Sequence, residues 1–315
     1  MSDENSLIGN ENNHVVMDNR LIESKQMMPL NAAKIVRMAI AKITYEDEIF
    51  RTYSCSITEL AEFLRVSKSN LYRDIRGICD ILERSRVFVG TDDPARPWKR
   101  LQWIDYASYD GGGMVSMRLS KDVEPYLISL RKCYTQYRLR NIVDFSSFYA
   151  IRLYELLIHQ VNLLDYNGGE TFSYTIDELR ELLFCETKFT RFADFRRKVL
   201  NLAVREINEK SDIHVEMIFF RQGKVYHKVA FNVRVNTDPE NRNSPIYSIV
   251  NGSVVLAEVI HIYRGVYHLR MPNGCRGAMF FNKALLRTRV REGDMVTAIV
   301  IGFSENDDAV KCSLR

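Results

Sequence analysis

Two nine-residue stretches of this chain superpose without a gap, and that repeat limits the fold more than any other feature. SITELAEFL (56–64) matches TIDELRELL (175–183), with Ser56 on Thr175, Ile57 on Ile176, Glu59 on Glu178, Leu60 on Leu179 and Leu64 on Leu183. Each copy opens on a hydroxyl residue with a glutamate three positions later. In that arrangement a hydroxyl oxygen and a carboxylate cap the unpaired N–H groups at a helix start. A short polar turn and a second helix follow each copy, over 69–84 and about 190–209. Alternating stretches come next: RLQWIDYAS and MVSMRLS joined by YDGGG in the first copy, IHVEMIFF and VYHKVAFNVRV joined by RQGK in the second. Such alternation around a glycine-bearing turn predicts a hairpin in each.

Helix, turn, helix, hairpin is the order of a winged helix-turn-helix, here present twice. The expected class is therefore α+β: tandem winged-helix domains over 28–135 and 136–235. Leu30, Ile35, Met38, Ala39 and Ile43 have helical spacing and supply a first helix to the first unit. KDVEPYLISLRKCY is expected to be helical. SSFYAIRLYELLIHQVN, with Phe148, Ile151, Leu153, Tyr154, Leu157, Ile158 and Val161, is expected to be a buried first helix of the second unit. Residues 1–27 are rich in Asn, Glu, Asp and Ser and are expected to be a disordered tail. NTDPENRNSP opens a linker over 236–249. Five short strand-like runs in 250–315 suggest a small all-β barrel.

At 315 residues the chain suits two or three domains, and 46% hydrophobic with 27% charged residues is globular composition. The net charge of +4, from 44 basic and 40 acidic residues, is too small to argue for a polyanionic partner, so local clustering must carry that argument. The clustering is there. In the first copy Leu71, Ile75, Ile78 and Leu82 form the core line. The opposite face carries Ser69, Arg73, Arg76 and Asp80, flanked by Tyr72, with Lys68 in the turn. In the second copy the core line is Phe192, Phe195, Val199, Leu202 and Ala203. Opposite lie Thr190, Asp194, Arg197 and Asn201, flanked by Lys198 and Arg205, with Arg196 near the stripe's edge.

A helix of this kind fits the major groove, where Arg and Asn make paired bonds to guanine and adenine edges while Lys, Ser and Thr suit phosphates. Base reading is expected from Arg73, Arg76, Arg197 and Asn201. Positioning falls to Lys68, Ser69, Lys188, Thr190, Arg191 and Lys198.

The stretches LSKDVEPYLISLRKCYTQYRL, SSFYAIRLYELL and FADFRRKVLNLAVREINEKSDIHVEMIFF resemble the iteron-type plasmid replication initiator (Rep) proteins, over roughly 28–235. The resemblance implies binding of directly repeated origin sites as a monomer, and of an inverted repeat at its own promoter, with repression, as a homodimer. It implies that the first domain contributes dimerisation and backbone contacts and the second the stronger base reading, which favours Arg191, Arg197, Lys198 and Asn201. Host replication initiator and helicase are the implied protein partners. Asn201–Leu202 stands where the family usually has a proline after its Val-Leu pair.

Residues 250–315 depart from the typical initiator and resemble an S1-type OB barrel, which stacks single-stranded DNA or RNA on aromatics. The matching positions are Tyr267, His268 and Phe280, with Arg264, Arg270 and Arg276 for phosphates.

The six cysteines include no CxxC pair, and Cys79 is expected to be a buried thiol. No P-loop, no HExxH and no His-apolar-His pair occurs, so no enzyme, metal or cofactor is expected. The opening MSDENSLIGNENNHVVMDN has no basic-then-apolar leader, and no run of 18 apolar residues occurs. A cytoplasmic protein without membrane partners is expected. Two other readings share these features: a transcriptional repressor without an origin role, and an RNA-binding regulator led by the barrel.

Overall fold

The computed structural model describes the chain except residues 1–5, 45–46, 91–96, 129, 131–132, 164–169, 236–253, 264–265, 271–275, 281–290, 304–309 and 315. The linker therefore lies outside the described residues. The chain divides into two compact units, residues 1–160 with 170–234, and residues 161–169 with 235–315.

The first unit starts with residues expected to be a tail, and those described, 6–27, are built into the fold instead. Strand β1 (His14–Asp18) pairs antiparallel with β8 (Tyr134–Arg138), α1 (Asn19–Ile22) follows, and β2 (Lys25–Met27) pairs with β4 (Arg86–Gly90). Leu7, Val15, Met17, Leu21 and Ile22 are wholly buried. Few apolar residues are needed, because these five point inward and the partner strands supply the rest of the core.

Helix α2 (Leu30–Ile40) stops short of Ile43, which is half-buried. Strand β3 (Tyr53–Ser56) leads into α3 (Ile57–Leu64). Arg65, at φ 57° in the left-handed region, ends α3 and turns the chain into α4 (Lys68–Arg84). The expected single strand RLQWIDYAS is in fact two. Strand β5 (Trp98–Gln102) pairs with β4, whereas β6 (Ile104–Tyr109) pairs with β7 (Met114–Leu119), which also pairs with β3. Trp103, fully buried, is the corner between the two sheets. The expected helix KDVEPYLISLRKCY is also replaced: a 3-10 helix at Lys121–Tyr126 contains Pro125, which donates no backbone hydrogen bond, and the segment then runs into β8.

After α5 (Arg140–Val143), helix α6 (Phe148–Leu163) is buried without a break from Ala150 to His159. It packs on both halves of the unit. Arg152 Nη2 donates to the carbonyls of Ile22 and Ser24, at 2.6 and 2.9 Å, while the Tyr154 hydroxyl donates to Asp212 at 2.9 Å.

The second repeat gives β9 (Glu170–Thr175), α7 (Ile176–Leu182), α8 (Phe192–Phe195), a π-helical turn at Arg196–Leu200 and α9 (Asn201–Lys210). The hairpin β10 (Ile213–Gln222) and β11 (Val225–Val235) completes a sheet in the order β10-β11-β9. Gly223, at φ 62°, makes the tight turn that L side chains resist.

In the second unit, strands β12 (Val254–Tyr263), β13 (Val266–Arg270), β14 (Arg276–Phe280), β15 (Met295–Phe303) and β16 (Val310–Leu314) close into a barrel ordered β12-β13-β14-β16-β15. Strands β14 and β16 run parallel. The side chains of Ala257, Val259, Tyr267, Leu269 and Val296 are buried. Among the described residues no helix is long and apolar enough to cross a membrane.

Candidate nucleic-acid interface

Both repeats start with the capping box their sequences predict. Ser56 N donates to the Glu59 carboxylate at 2.8 Å, and Glu59 N donates to the Ser56 hydroxyl at 3.2 Å. The Ser56 hydroxyl also donates to that carboxylate at 2.7 Å, and this bond first, then the one from Ser56 N, holds the Glu59 carboxyl below its usual range. Thr175 N donates to Glu178 at 3.2 Å, and Glu178 N donates back to the Thr175 hydroxyl at 3.1 Å. The start of each bracing helix is thus satisfied by residues within its own first turn.

On α4 the core line holds at Leu71, Ile75 and Leu82, while Ile78 is half-buried and Ile81 is exposed. Cys79 is likewise half-buried rather than fully buried. Lys68, Ser69, Tyr72, Arg73 and Arg76 all face solvent. Arg73 keeps its head outward, 3.2 Å from Asn70 Oδ1 and 3.5 Å from Asp74. Tyr72 accepts a 2.8 Å hydrogen bond from Tyr109 at the end of β6, so the exposed helix face continues onto the wing.

The second reader is built differently. Its turn is longer, running over 183–191 from the end of α7 to the start of α8, with Phe184 and Phe189 at positive φ. Arg180 holds this turn in shape. Its guanidinium lies 4.4 Å from the Phe195 ring centroid and donates to the carbonyls of Lys188 and Thr190, at 3.2 and 3.3 Å. Sequence reasoning missed Arg180, although a signal exists: it occupies the core-facing place that Ala61 fills in the first copy.

Lys188, Thr190, Arg191, Arg197, Lys198, Asn201 and Arg205 are all exposed, and Arg191 stands at the N-cap position of α8 without a side-chain bond to the helix start. Asp194 sits among them, 3.2 Å from Arg197 Nη2 and 3.6 Å from Lys198 Nζ. Of the expected core line, Phe195, Val199 and Ala203 are buried, whereas Phe192 and Leu202 are half-buried and Leu200, Val204 and Ile207 join the core. The π turn accounts for this rephasing, since it rotates one end of the rod relative to the other.

In the barrel, Tyr267 is 5% exposed. A ring so covered offers no face to a base, and Tyr267 is a core residue rather than a stacking platform. His268 and Arg270 lie on β13, Arg276 and Phe280 on β14, with side chains outside the described set. Arg264 lies outside the described residues altogether.

Family profiles match both halves of the first unit. The profile described as Initiator Replication protein, WH1, matches residues 14–158, and that described as Initiator Rep protein, WH2, matches residues 175–233. The PI protein of Escherichia coli is 25% identical over 254 residues, 70% of this chain and 82% of that protein. A replication initiation protein of Escherichia coli is 21% identical over 188 residues, 59% of this chain and 57% of that protein. The crystal structure of Pi initiator protein in complex with iteron DNA is similar in fold. Its TM-score is 0.60 at 24% identity, over 73% of this chain and 100% of that one. The two profiles together span more than half of the sequence, each falling on one helix-turn-helix and its hairpin, and the chain belongs to the family of initiator replication proteins.

Proposed function

We propose that this protein is a sequence-specific duplex DNA-binding plasmid replication initiator that acts at directly repeated origin sites. The observation that carries the reading is the pairing of two braced helices in one compact unit, each with its cations outward and its apolar line withdrawn. Membership of the initiator family, and a relative of similar fold crystallised with iteron DNA, support it.

Arg73, Arg76, Arg197 and Asn201 read base edges. Lys68, Ser69, Lys188, Thr190, Arg191 and Lys198 hold phosphates, and Tyr72 and Arg205 flank the two faces. With the readers in successive major grooves the site spans about 20 base pairs. The chain binds direct repeats as a monomer and an inverted repeat at its own promoter as a homodimer, repressing it. It works in the cytoplasm without catalysing a covalent step, and hands the melted origin to host initiator and helicase. The five-stranded order with a parallel β14–β16 pair supports an S1-like OB reading of the barrel. His268 and Phe280, with Arg264, Arg270 and Arg276, are the positions where it takes single-stranded DNA or RNA.

Footprinting of the full chain on DNA flanking its own gene tests the proposal. Regularly repeated protected segments of about 20 base pairs are expected. Affinity should fall with salt at a logarithmic slope of roughly −0.9 per phosphate neutralised. Equal affinity for random duplex, or preference for single-stranded RNA over any duplex, would refute it.

A further inference from the structure

The rod that carries the second reading face is not a regular helix. Between α8 and α9, Arg196–Leu200 forms a turn of π-helix, a wide turn that recurs at functional sites. In a plain α-helix, at about 100° per residue, Arg196 would project between Val199 and Leu200, both of them fully buried. The wider turn carries Arg196 past Leu200 to the margin of the buried face, where it is exposed.

At that margin Arg196 meets the wing. Its guanidinium carbon lies 4.6 Å from the Phe219 ring centroid on β10. Phe192 stacks on Tyr226 of β11 at 4.4 Å and 22°. Phe219 meets Phe192 edge-on at 5.6 Å and Tyr226 at 6.1 Å, and Arg221 covers the Tyr226 ring at 4.3 Å. Three rings and two guanidiniums therefore join the start of the reading helix to its hairpin.

The same turn straightens the exposed face. Ala193, Arg197, Asn201 and Arg205 follow one another at intervals of four, and all four are exposed. Each such interval advances by about 40° in a plain helix, so the row would wind around the rod. A π turn, closing i to i+5, advances less per residue, so between Arg197 and Asn201 it takes up part of that drift.

We propose that the π turn is a register device of the second reader, with Arg196 as its positioning residue. Arg196 is turned away from DNA to clamp the hairpin, while Arg197, Asn201 and Arg205 form the groove-facing line. The inference rests on the duplex-reading function proposed above.

Arg196→Ala and Arg196→Lys in the full chain test it, read by selection from a randomised duplex pool, by salt titration and by amide exchange of β10 and β11 in the free protein. Arg196→Ala should bind about fivefold more weakly at every selected site, as loss of a cation–π clamp implies. Its base preferences and salt slope should match those of the wild type, and its hairpin amides should exchange faster. Arg196→Lys should recover part of both losses. A salt slope reduced by about one would make Arg196 a phosphate contact, and preference relaxed at one base pair would make it a reader. Either result, or unchanged affinity and exchange, overturns the proposal. If the wild type enriches no sequence, the initiator reading fails instead, and the exchange arm still decides the clamp.

Discussion

Arg37 of α2 and Glu155 of α6 face each other as a buried, doubly bonded pair. Nε lies 2.9 Å from Oε1 and Nη2 lies 3.0 Å from Oε2, with neither side chain exposed. Arg152 Nη1 reaches the same carboxylate at 2.7 Å, the Tyr137 hydroxyl donates to it at 2.7 Å, and Arg37 Nη2 donates to Gln26 at 2.6 Å. Two cations and one anion thus join the N-terminal segment, α2, β8 and α6.

Glu155→Gln would leave two buried guanidiniums without their counter-charge. The expected loss is about 3–5 kcal/mol of stability, measured by denaturant unfolding of the full chain. The pH dependence has a definite sign. Burial alone pushes the Glu155 carboxyl up, but Arg37 and then Arg152 outweigh it and hold it below the usual range. The pair's contribution is therefore complete above the unfolded glutamate value of about 4.3, and is lost as pH falls through the lower folded value. The glutamine variant should lack that acid-side loss.

Removing residues 1–28 should destabilise the first unit rather than trim a loose end. The deletion strips β1 and β2 from their partners and exposes the pockets of Leu7, Val15, Met17, Leu21 and Ile22. A milder version, Val15→Ala, should cost about 1–3 kcal/mol. Thermal unfolding compared with the wild type checks both, and an unchanged midpoint would contradict the structure.

Arg180→Met should separate turn geometry from charge. The methionine keeps much of the apolar stem over Phe195 but cannot donate to the carbonyls of Lys188 and Thr190. Duplex affinity should drop by about 1–3 kcal/mol, the usual cost of leaving such groups unsatisfied. Circular dichroism of the helices should be unaltered. If affinity is unchanged, the turn is held by something else.

Arg197→Ala should weaken duplex binding by about 1–3 kcal/mol and relax preference at one position. Its head is 73% exposed and anchored to Asp194, which leaves it extended toward a partner. Binding to panels of single-base variants measures this. A uniform loss across all sequences would instead mark a phosphate contact. Asp194→Ala, which frees both Arg197 and Lys198, should raise non-specific affinity and so narrow the discrimination between sites.

What was legible in the sequence is what neighbours in the chain decide among themselves. The two capping boxes, the helix they start and the β10–β11 hairpin follow from hydroxyl, carboxylate, glycine and alternation within a few residues. The exposed cations of α4 and of the second reader followed from helical spacing alone. Arg180 was hidden because a charged residue on an apolar stripe reads as an edge position until the turn it holds is visible. Tyr267 gave no sign of its side, since a lone aromatic in an alternating strand fits core and surface equally.

The sequence by itself determined the repeated unit and the faces its helices present, because caps and periodicity are short-range and need no partner. Tertiary structure decided three things. It recruited the polar N-terminal segment into the sheets, broke RLQWIDYAS at the buried Trp103, and opened the π turn that rephases the second reader. Each depends on which distant group offers a pairing edge, a cavity or an aromatic ring, and those offers exist only once the chain has brought its separate parts together.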